Sequence, residues 1–311
     1  FEDMSGFVFG TWQCAPSDGF WCNQDPLESE RLLGQAVRMG IRSFDTAQSY
    51  GKGRAEQLLG KVLSRFPNEG FRIDTKIMPT TKDPLDLVRL SLSRLRVQRL
   101  NRLYLHWPRT GFNAAMFIEG MAKCREIGLV EKVGICNAPL DYLGNLCREL
   151  AERSVALDCL QIPVSLLWTR DLDDTLAFCH DNGIEVVAYS PMGMGLLSGK
   201  YEKADSLDDA RANLFCFKEP CLAAYGRLLG TLNDVAFAHN VSCSTIALAW
   251  TASCGVDSII LGARNADQLA ANVSALDMHL DEGEFLALKQ AGDELAACSR
   301  QVCDNIFSYK W

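Results

Sequence analysis

Four side chains of different chemistry stand at the ends of three consecutive apolar runs. The first run ends in Asp45 and leads to Tyr50, the second ends in Lys76, and the third ends in His106. An acid, a phenol, an amine and an imidazole beside a packed core are costly unless they are paired or used. If the runs are adjacent parallel strands, the four groups share one pocket, and we interpret them as catalytic residues.

This combination of groups suits the reduction of a carbonyl, because hydride added to carbon leaves an oxygen that needs a proton. Tyr50 is the expected proton donor. A phenol ordinarily has a pKa of about 10, and the ammonium of Lys76 is expected to lower that pKa by stabilising the phenolate. Asp45 would hold Lys76 charged and in place, while His106 would hydrogen-bond the carbonyl oxygen.

Short apolar or β-branched runs alternate with amphipathic helical patterns along almost the whole chain, which is typical of parallel strands joined by crossover helices. The predicted strands are Phe7–Trp12, Ile41–Ala47, Phe71–Ile77, Arg102–Trp107, Lys132–Asn137, Ala156–Pro163, Ile184–Pro191 and Ser258–Ala263. The predicted helices between them are Glu28–Gly40, Ala55–Phe66, Pro84–Leu95, Ala114–Gly128, Leu140–Arg153 and Asp171–Gly183. Residues 200–217 lack periodicity and predict a long loop, followed by two helices before the eighth strand.

Eight such units can close as a barrel or spread as an open sheet, and periodicity does not distinguish the two. In a barrel the chemistry gathers at the carboxyl ends of the strands, where this chain has its unusual polar residues. An open dinucleotide-binding sheet would have GxGxxG after its first strand, and no such motif follows Trp12. We therefore predict an α/β fold, a (β/α)8 TIM barrel that forms one domain over residues 1–311, with extra helices and a C-terminal tail.

The motifs that carry these residues resemble the aldo-keto reductase family from about Gly10 to Leu276. They are Gly10-Thr11-Trp12, Phe44-Asp45-Thr46-Ala47-Gln48-Ser49-Tyr50-Gly51, Thr75-Lys76 and Leu105-His106-Trp107-Pro108. The resemblance implies that the catalytic tetrad of the family falls on Asp45, Tyr50, Lys76 and His106. Cys136 departs from the pattern, since the family often has Ser before the amide Asn, and a thiol is the weaker hydrogen-bond donor.

The second half of the chain has residues suited to a nicotinamide cofactor. The amides of Asn137 and Gln161, at strand ends, can hydrogen-bond the nicotinamide carboxamide, and Tyr189 is placed to stack on its ring. The resemblance implies that the loop after the seventh strand wraps the pyrophosphate. The loop residues concerned are Ser190, Met192, Gly193, Gly195 and Leu196.

A second group of candidate cofactor residues follows the eighth strand. Gly262 and Arg264 precede a helix that carries Gln268 and Asn272, one turn apart and expected to face the adenine. A helix N-terminus with an adjacent arginine attracts phosphate. By resemblance this is the site of the adenosine 2′-phosphate, which implies NADP(H) as the cofactor.

The composition argues against several other classes of protein. The net charge of −8, with scattered basic residues, disfavours nucleic acid as a partner. We interpret the five arginines at 89, 94, 96, 99 and 102 as a solvated face. No apolar run approaches the roughly 20 residues that span a membrane, and the first residues lack a secretory pattern. The 13 cysteines form no CxxC pair, so we expect a reduced, cytoplasmic protein without a metal site.

The substrate is expected to be a small carbonyl compound, bound in a pocket lined by Trp12, Trp107 and the C-terminal residues 307–311. Together with Trp168, these tryptophans favour an apolar, aromatic compound. Reversible NADPH-dependent reduction of an aldehyde or ketone explains the most residues.

Two other functions remain open. One is a regulatory or redox-sensing NADP-binding subunit with slow or no turnover, against which the intact tetrad argues. The other is a barrel lyase in which Lys76 forms a Schiff base, which would leave Asn137, Gln161 and Arg264 without a role.

Overall fold

Eight parallel strands pair in chain order and close on themselves, because β8 returns to pair with β1. In the computed structural model, which describes residues 6–15, 19–21, 23–109 and 111–307, the predicted barrel is thus confirmed. The strands are β1 Phe7–Gly10, β2 Ser43–Asp45, β3 Arg72–Ile77, β4 Leu100–Leu105, β5 Val130–Cys136, β6 Cys159–Pro163, β7 Glu185–Tyr189 and β8 Ser258–Leu261.

Helices surround the barrel and follow the predicted order. They are α1 Pro26–Arg38, α2 Arg54–Leu63, α3 Pro84–Leu95, α4 Ala114–Glu126, α5 Leu140–Glu152, α6 Leu172–Asp181, α7 Cys221–Ala238, α8 Cys243–Ala252, α9 Ala266–Ala275 and α10 Glu282–Ser299. The predicted loop at 200–217 contains three short 3₁₀ turns, and α7 and α8 follow it before β8 as predicted.

The helix ends follow from local sequence. The side chain of Asp83 caps α3 by accepting a hydrogen bond from the backbone of Leu85 at 2.8 Å. Gly40, Gly128 and Gly183 follow helix ends with φ of 93°, 79° and 64°, left-handed values that glycine adopts without steric cost. The regular helices end two residues before these glycines, which are the last residues of the predicted helices.

Several strands end earlier than predicted, and the reason lies in the backbone. Asn137 and Ser190 have φ of 61° and 53°, which takes them out of the extended conformation directly after β5 and β7. Trp12 instead begins a 3₁₀ turn after β1. The polar residues at these strand ends thus leave the sheet and are free to face the space above it.

Charged side chains bridge the inside of the barrel towards the amino ends of the strands. Arg102 on β4 donates to Asp74 on β3 at 3.1 Å and to Glu185 on β7 at 2.9 Å, and Lys132 on β5 also pairs with Glu185. Because β4 and β7 are not neighbours, this network crosses the barrel interior. The prediction of a solvated face was therefore wrong for Arg102, although three of the other four arginines are exposed. We call Asp74, Arg102, Lys132 and Glu185 the charged floor.

The described part of the chain has no helix with the length and apolar character needed to cross a membrane. It also has no group of three or more His, Cys, Asp or Glu side chains that could hold a metal ion. Its 12 cysteines are free thiols, and most of them are buried. Cys22 lies outside the described residues.

Candidate active site

A cavity of about 1060 Å³ opens at the carboxyl ends of the strands. Most of the predicted site residues line it: Trp12, Asp45, Tyr50, His106, Trp107, Asn137, Gln161, Tyr189, Ser190, Met192, Gly195, Gly262, Arg264, Gln268 and Asn272. Lys76 is buried and does not line the cavity itself, but it contacts two residues that do, Asp45 and Tyr50. Gly193 and Leu196 are buried within their loop and do not line the cavity. The structure thus brings residues from both halves of the chain to one site.

Lys76 is held by three acceptors. Its Nζ donates to Asp45 Oδ1 at 2.5 Å, to the carbonyl oxygen of Thr46 at 2.9 Å and to Tyr50 Oη at 3.2 Å. Burial by itself lowers the pKa of Lys76, but the adjacent Asp45 and Tyr50 raise that pKa above its ordinary value. The amine is therefore a charged ammonium without a free lone pair. This state argues against a lyase in which Lys76 attacks a carbonyl.

Tyr50 behaves differently from the expectation of a lowered pKa. Burial raises the pKa of Tyr50 to about 12, outweighing the Lys76 charge, which lowers it, and the Asp45 carboxylate adds to the increase. The phenol therefore keeps its proton at neutral pH. An alkoxide is a stronger base than a phenolate, so this phenol can still protonate an oxygen that becomes an alkoxide. Lys76 stabilises the phenolate that remains.

His106 is neutral in this environment. Burial, and after it the charge of Lys76, lowers the pKa of His106 well below its ordinary value. Ser49 Oγ lies 3.2 Å from Nδ1 of the imidazole. When the hydroxyl donates there, the proton of the ring is on Nε2, which can donate to a carbonyl oxygen. Sequence reasoning did not select Ser49, and its only signal is its place beside Tyr50.

The two predicted amides are tied into this cluster. Asn137 Oδ1 accepts from Tyr189 Oη at 2.7 Å, and its Nδ2 donates to the carbonyl oxygen of His106 at 3.2 Å. Gln161 Nε2 donates across the barrel to Asp45 Oδ2 at 3.0 Å. The amide oxygen of Gln161 has no donor among the described residues. Gln161 therefore offers an acceptor, and Asn137 a second N–H, to a ligand in the cavity.

The residues after β8 form the opposite side of the cavity. The backbone N–H of Arg264 donates to Gln268 Oε1 at 2.9 Å, and Asn272 Nδ2 donates to the carbonyl oxygen of Gly262 at 3.0 Å. Asn265 caps the helix α9 by accepting from the backbone of Gln268. No carboxylate of the described residues contacts Arg264. An uncompensated cation thus lies beside a helix N-terminus.

Two further cations, which sequence reasoning missed, line the cavity from the loop after β7. Arg211 is 5% exposed, pairs with Asp209 at 2.9 Å and lies 5.2 Å from the ring of Trp21. Lys200 lines the same cavity. The loop that carries both has no regular pattern, so only their charges could have pointed to them.

Aromatic rings form one wall of the cavity. The ring of Phe307 lies 5.7 Å from Trp12 and 5.9 Å from Trp107, edge to face with both, and is parallel to Tyr189 at 6.4 Å. This wall contains both predicted tryptophans and the first residue of the predicted tail. Residues 308–311 lie outside the described residues. Trp168 instead packs against Phe215 in the core and does not line the cavity.

Comparison with known proteins gives the class of protein to which this fold and cavity belong. The model of the aldo/keto reductase family matches residues 7–293, and the chain belongs to that family. Aldo-keto reductases are oxidoreductases that use nicotinamide cofactors.

Among its relatives, the chain is 28% identical to the chloroplastic pyridoxal reductase of Arabidopsis thaliana, over 98% of this chain and 87% of that protein. It is 26% identical to the NADH-specific methylglyoxal reductase of Escherichia coli K12, over 94% and 96%. A crystal structure of a thermostable aldo-keto reductase with the inhibitor epalrestat superposes with a TM-score of 0.73 at 25% identity, covering 93% of this chain and 96% of that one. The two curated reductases are named for different substrates, and one of them is named as NADH-specific.

Proposed function

We propose that this protein catalyses the reversible, NADPH-dependent reduction of an aldehyde or ketone to the alcohol. The observation that carries the proposal is the hydrogen bond from the Lys76 ammonium to the Tyr50 phenol, at the cavity and next to a neutral His106. The cavity thus holds an acid, Tyr50, whose conjugate base is stabilised by Lys76, and beside it a neutral hydrogen-bond donor, His106. A carbonyl that becomes an alkoxide needs both groups.

Unsatisfied polar atoms in the cavity fit an NADP(H) molecule. Trp21 Nε1 and Ser198 Oγ are buried without a hydrogen-bond partner in the described part of the chain, and both residues line the cavity near Lys200 and Arg211. Buried groups of this kind are usually paired, so a ligand rich in acceptors fits them. These residues and the loop after β7 would hold the pyrophosphate.

The remaining parts of the cofactor have matching residues. Asn137 and Gln161 would bind the carboxamide, while Tyr189 would stack on the nicotinamide. When bound, the nicotinamide supplies the hydride.

The residues of this chain supply the other parts of the reaction. His106 donates a hydrogen bond to the carbonyl oxygen and orients it. Tyr50 transfers its proton to that oxygen, and the ammonium of Lys76 stabilises the phenolate through the 3.2 Å contact. Asp45 keeps Lys76 charged and fixed. In the reverse direction the Tyr50 phenolate accepts the proton of the alcohol.

Preference for NADPH over NADH is a separate part of the proposal, and it rests on Arg264. The guanidinium faces no carboxylate among the described residues and lies beside the N-terminus of α9, where a 2′-phosphate would be stabilised. Gln268 and Asn272 would then contact the adenine. Since one relative is NADH-specific, the preference has to be measured on this chain.

Loss of NADPH absorbance with a panel of aldehydes, ketones and quinones tests the proposal, with Tyr50→Phe as the matched variant. We expect turnover by the wild type and a loss of about 10²- to 10⁴-fold in Tyr50→Phe, with NADPH binding retained in a fluorescence titration. Turnover at the wild-type rate in Tyr50→Phe would show that Tyr50 is not the proton donor. Tight NADPH binding without turnover of any carbonyl would favour the regulatory function instead.

A further inference from the structure

Gln24, in the segment between β1 and α1, binds Arg264 at two points. Arg264 Nε donates to Gln24 Oε1 at 3.0 Å, and Gln24 Nε2 donates to the carbonyl oxygen of Arg264 at 3.1 Å. Gln24 is only 7% exposed. The oxygen and the nitrogen of one buried amide therefore both hydrogen-bond to a single residue that is 240 positions away in the sequence. This contact fixes the backbone and the guanidinium of Arg264 together.

The contact leaves most of the guanidinium available. An arginine has five N–H donors, and Gln24 takes only the one on Nε. The two terminal amino groups keep four donors in the planar arrangement that suits a phosphate. Because Gln24 is uncharged, it orients the cation without neutralising it.

Gln24 is itself held from two sides. Its neighbour Asn23 donates to Asp208 at 2.9 Å, in the loop after β7. On the other side, Asp25 caps α1 by accepting from the backbone of Leu27 at 2.9 Å. The amide that holds Arg264 thus belongs to an anchored segment, and Arg264 is fixed relative to the barrel.

We propose that Gln24 is a positioning residue for cofactor selectivity, which holds the Arg264 guanidinium where the 2′-phosphate of NADP(H) binds. The inference rests on the proposed function and extends it to a residue in the β1–α1 segment. A long arginine side chain loses rotamer freedom when it is ordered by a ligand, and prior ordering by Gln24 removes part of that cost. NADH has no 2′-phosphate, so its binding does not draw on this ordering.

The test measures the dissociation constants of NADPH and NADH by fluorescence titration for four variants: Gln24→Leu, Gln24→Glu, Arg264→Ala and the Gln24→Leu/Arg264→Ala double variant. Gln24→Leu has nearly the same size but loses both hydrogen bonds. We expect it to weaken NADPH by about 3- to 10-fold and leave NADH unchanged. Gln24→Glu still accepts from Arg264 but places a carboxylate beside it, so NADPH should weaken further while NADH binding persists.

The double variant shows whether Gln24 acts through Arg264. In the Arg264→Ala background, Gln24→Leu should leave the ratio of the two dissociation constants unchanged, because no guanidinium remains to be positioned. Gln57→Leu is the matched control, since it makes the same substitution at an exposed position of α2, away from Arg264. It should preserve the ratio of the wild type.

The outcomes separate this inference from the function on which it rests. Equal weakening of NADPH and NADH in Gln24→Leu would show a merely structural role and overturn the inference. The same conclusion follows if Arg264→Ala changes the ratio but neither Gln24 variant does. If Arg264→Ala leaves the ratio unchanged, both the 2′-phosphate assignment and the inference are wrong. Carbonyl reduction is tested separately, by the turnover of Tyr50→Phe.

Discussion

The hydroxyl oxygen of Ser49 lies 3.2 Å from Nδ1 of His106, and Ser49 directly precedes Tyr50. One short segment after β2 therefore carries the proposed proton donor and also orients the imidazole that would bind the same carbonyl oxygen. The ring centroids of Tyr50 and His106 are 5.8 Å apart, so both groups can address one ligand atom between them.

Ser49→Ala should reduce kcat/KM by about 2- to 10-fold, which is the effect of losing one neutral hydrogen bond. The imidazole then loses the partner that keeps its proton on Nε2. Steady-state kinetics with one aldehyde checks this, with NADPH binding and the midpoint of thermal unfolding as controls that should not change. Ser49→Thr, which keeps a hydroxyl, should retain most of the activity. Unchanged kinetics in Ser49→Ala would show that the contact has no role in orienting His106.

Removal of the charge of Lys76 should destabilise the fold as well as the reaction. Lys76→Met leaves the Asp45 carboxylate, whose side chain is 3% exposed, without its counter-charge. We expect the free energy of unfolding to fall by about 3–5 kcal/mol in urea titrations. Asp45→Asn combined with Lys76→Met should recover part of that loss, because the remaining partner is then uncharged. A double variant as unstable as the sum of both single variants would contradict a direct ion pair.

Acidification should destabilise the protein through His106. Its pKa in the folded state is lowered by burial and by the Lys76 charge, whereas an unfolded histidine has a pKa of about 6.5. Below that pH the unfolded state binds a proton that the folded state does not, so stability falls as the pH drops from 6.5 towards the lowered pKa. The slope for this single group is at most about 1.4 kcal/mol per pH unit.

Urea unfolding of wild type and His106→Asn between pH 7.5 and 5, with ~0.5 unit steps, measures this contribution. The difference between the two proteins should be constant above pH 6.5 and should shrink or reverse below it. His180→Asn, at a side chain 91% exposed, is the control and should follow the wild type. Parallel curves for wild type and His106→Asn would show that His106 is not kept neutral by the fold.

Phe307 should select for flat substrates. It closes the aromatic wall between Trp12 and Trp107, so Phe307→Ala removes the edge-to-face contacts that shape the pocket. We expect kcat/KM for benzaldehyde to fall by about 10-fold while that for acetaldehyde changes little. Phe307→Tyr preserves the ring and should behave like the wild type. Equal losses for the two aldehydes would assign Phe307 to a role outside substrate selection.

The fold and much of the site could be predicted because their signals are local. Asp45, Lys76 and His106 each end an apolar run, and a barrel brings strand ends together whatever the loops do. By contrast, Gln24 contacts Arg264 and Arg211 contacts the ring of Trp21, which are far along the chain, and both residues lie in segments without periodicity. A sequence pattern does not show which distant backbone or ring such a side chain meets.

The state of Tyr50 could not be predicted for a related reason. The sequence indicated that Lys76 would be near, and its charge does lower the pKa of the phenol. Burial depends on all the chain packed around Tyr50, however, and here it outweighs that charge. Arg102 is a second example. Its place in a cluster of arginines predicted a solvent-exposed position, but the fold places its side chain inside the barrel.

The charged floor restricts which substitutions the inside of the barrel can accept during evolution. The side chains of Asp74 and Arg102 are only 2% and 12% exposed, so loss of Arg102 would leave the Asp74 carboxylate buried without its counter-charge. Viable lineages should therefore replace these residues in concert, either by another paired set or by apolar side chains. Asp74 and Arg102 stand two and four positions before Lys76 and His106 on the same strands. On each of these strands, the position in the charged floor would then show correlated substitutions, whereas the catalytic position near the carboxyl end would stay constant.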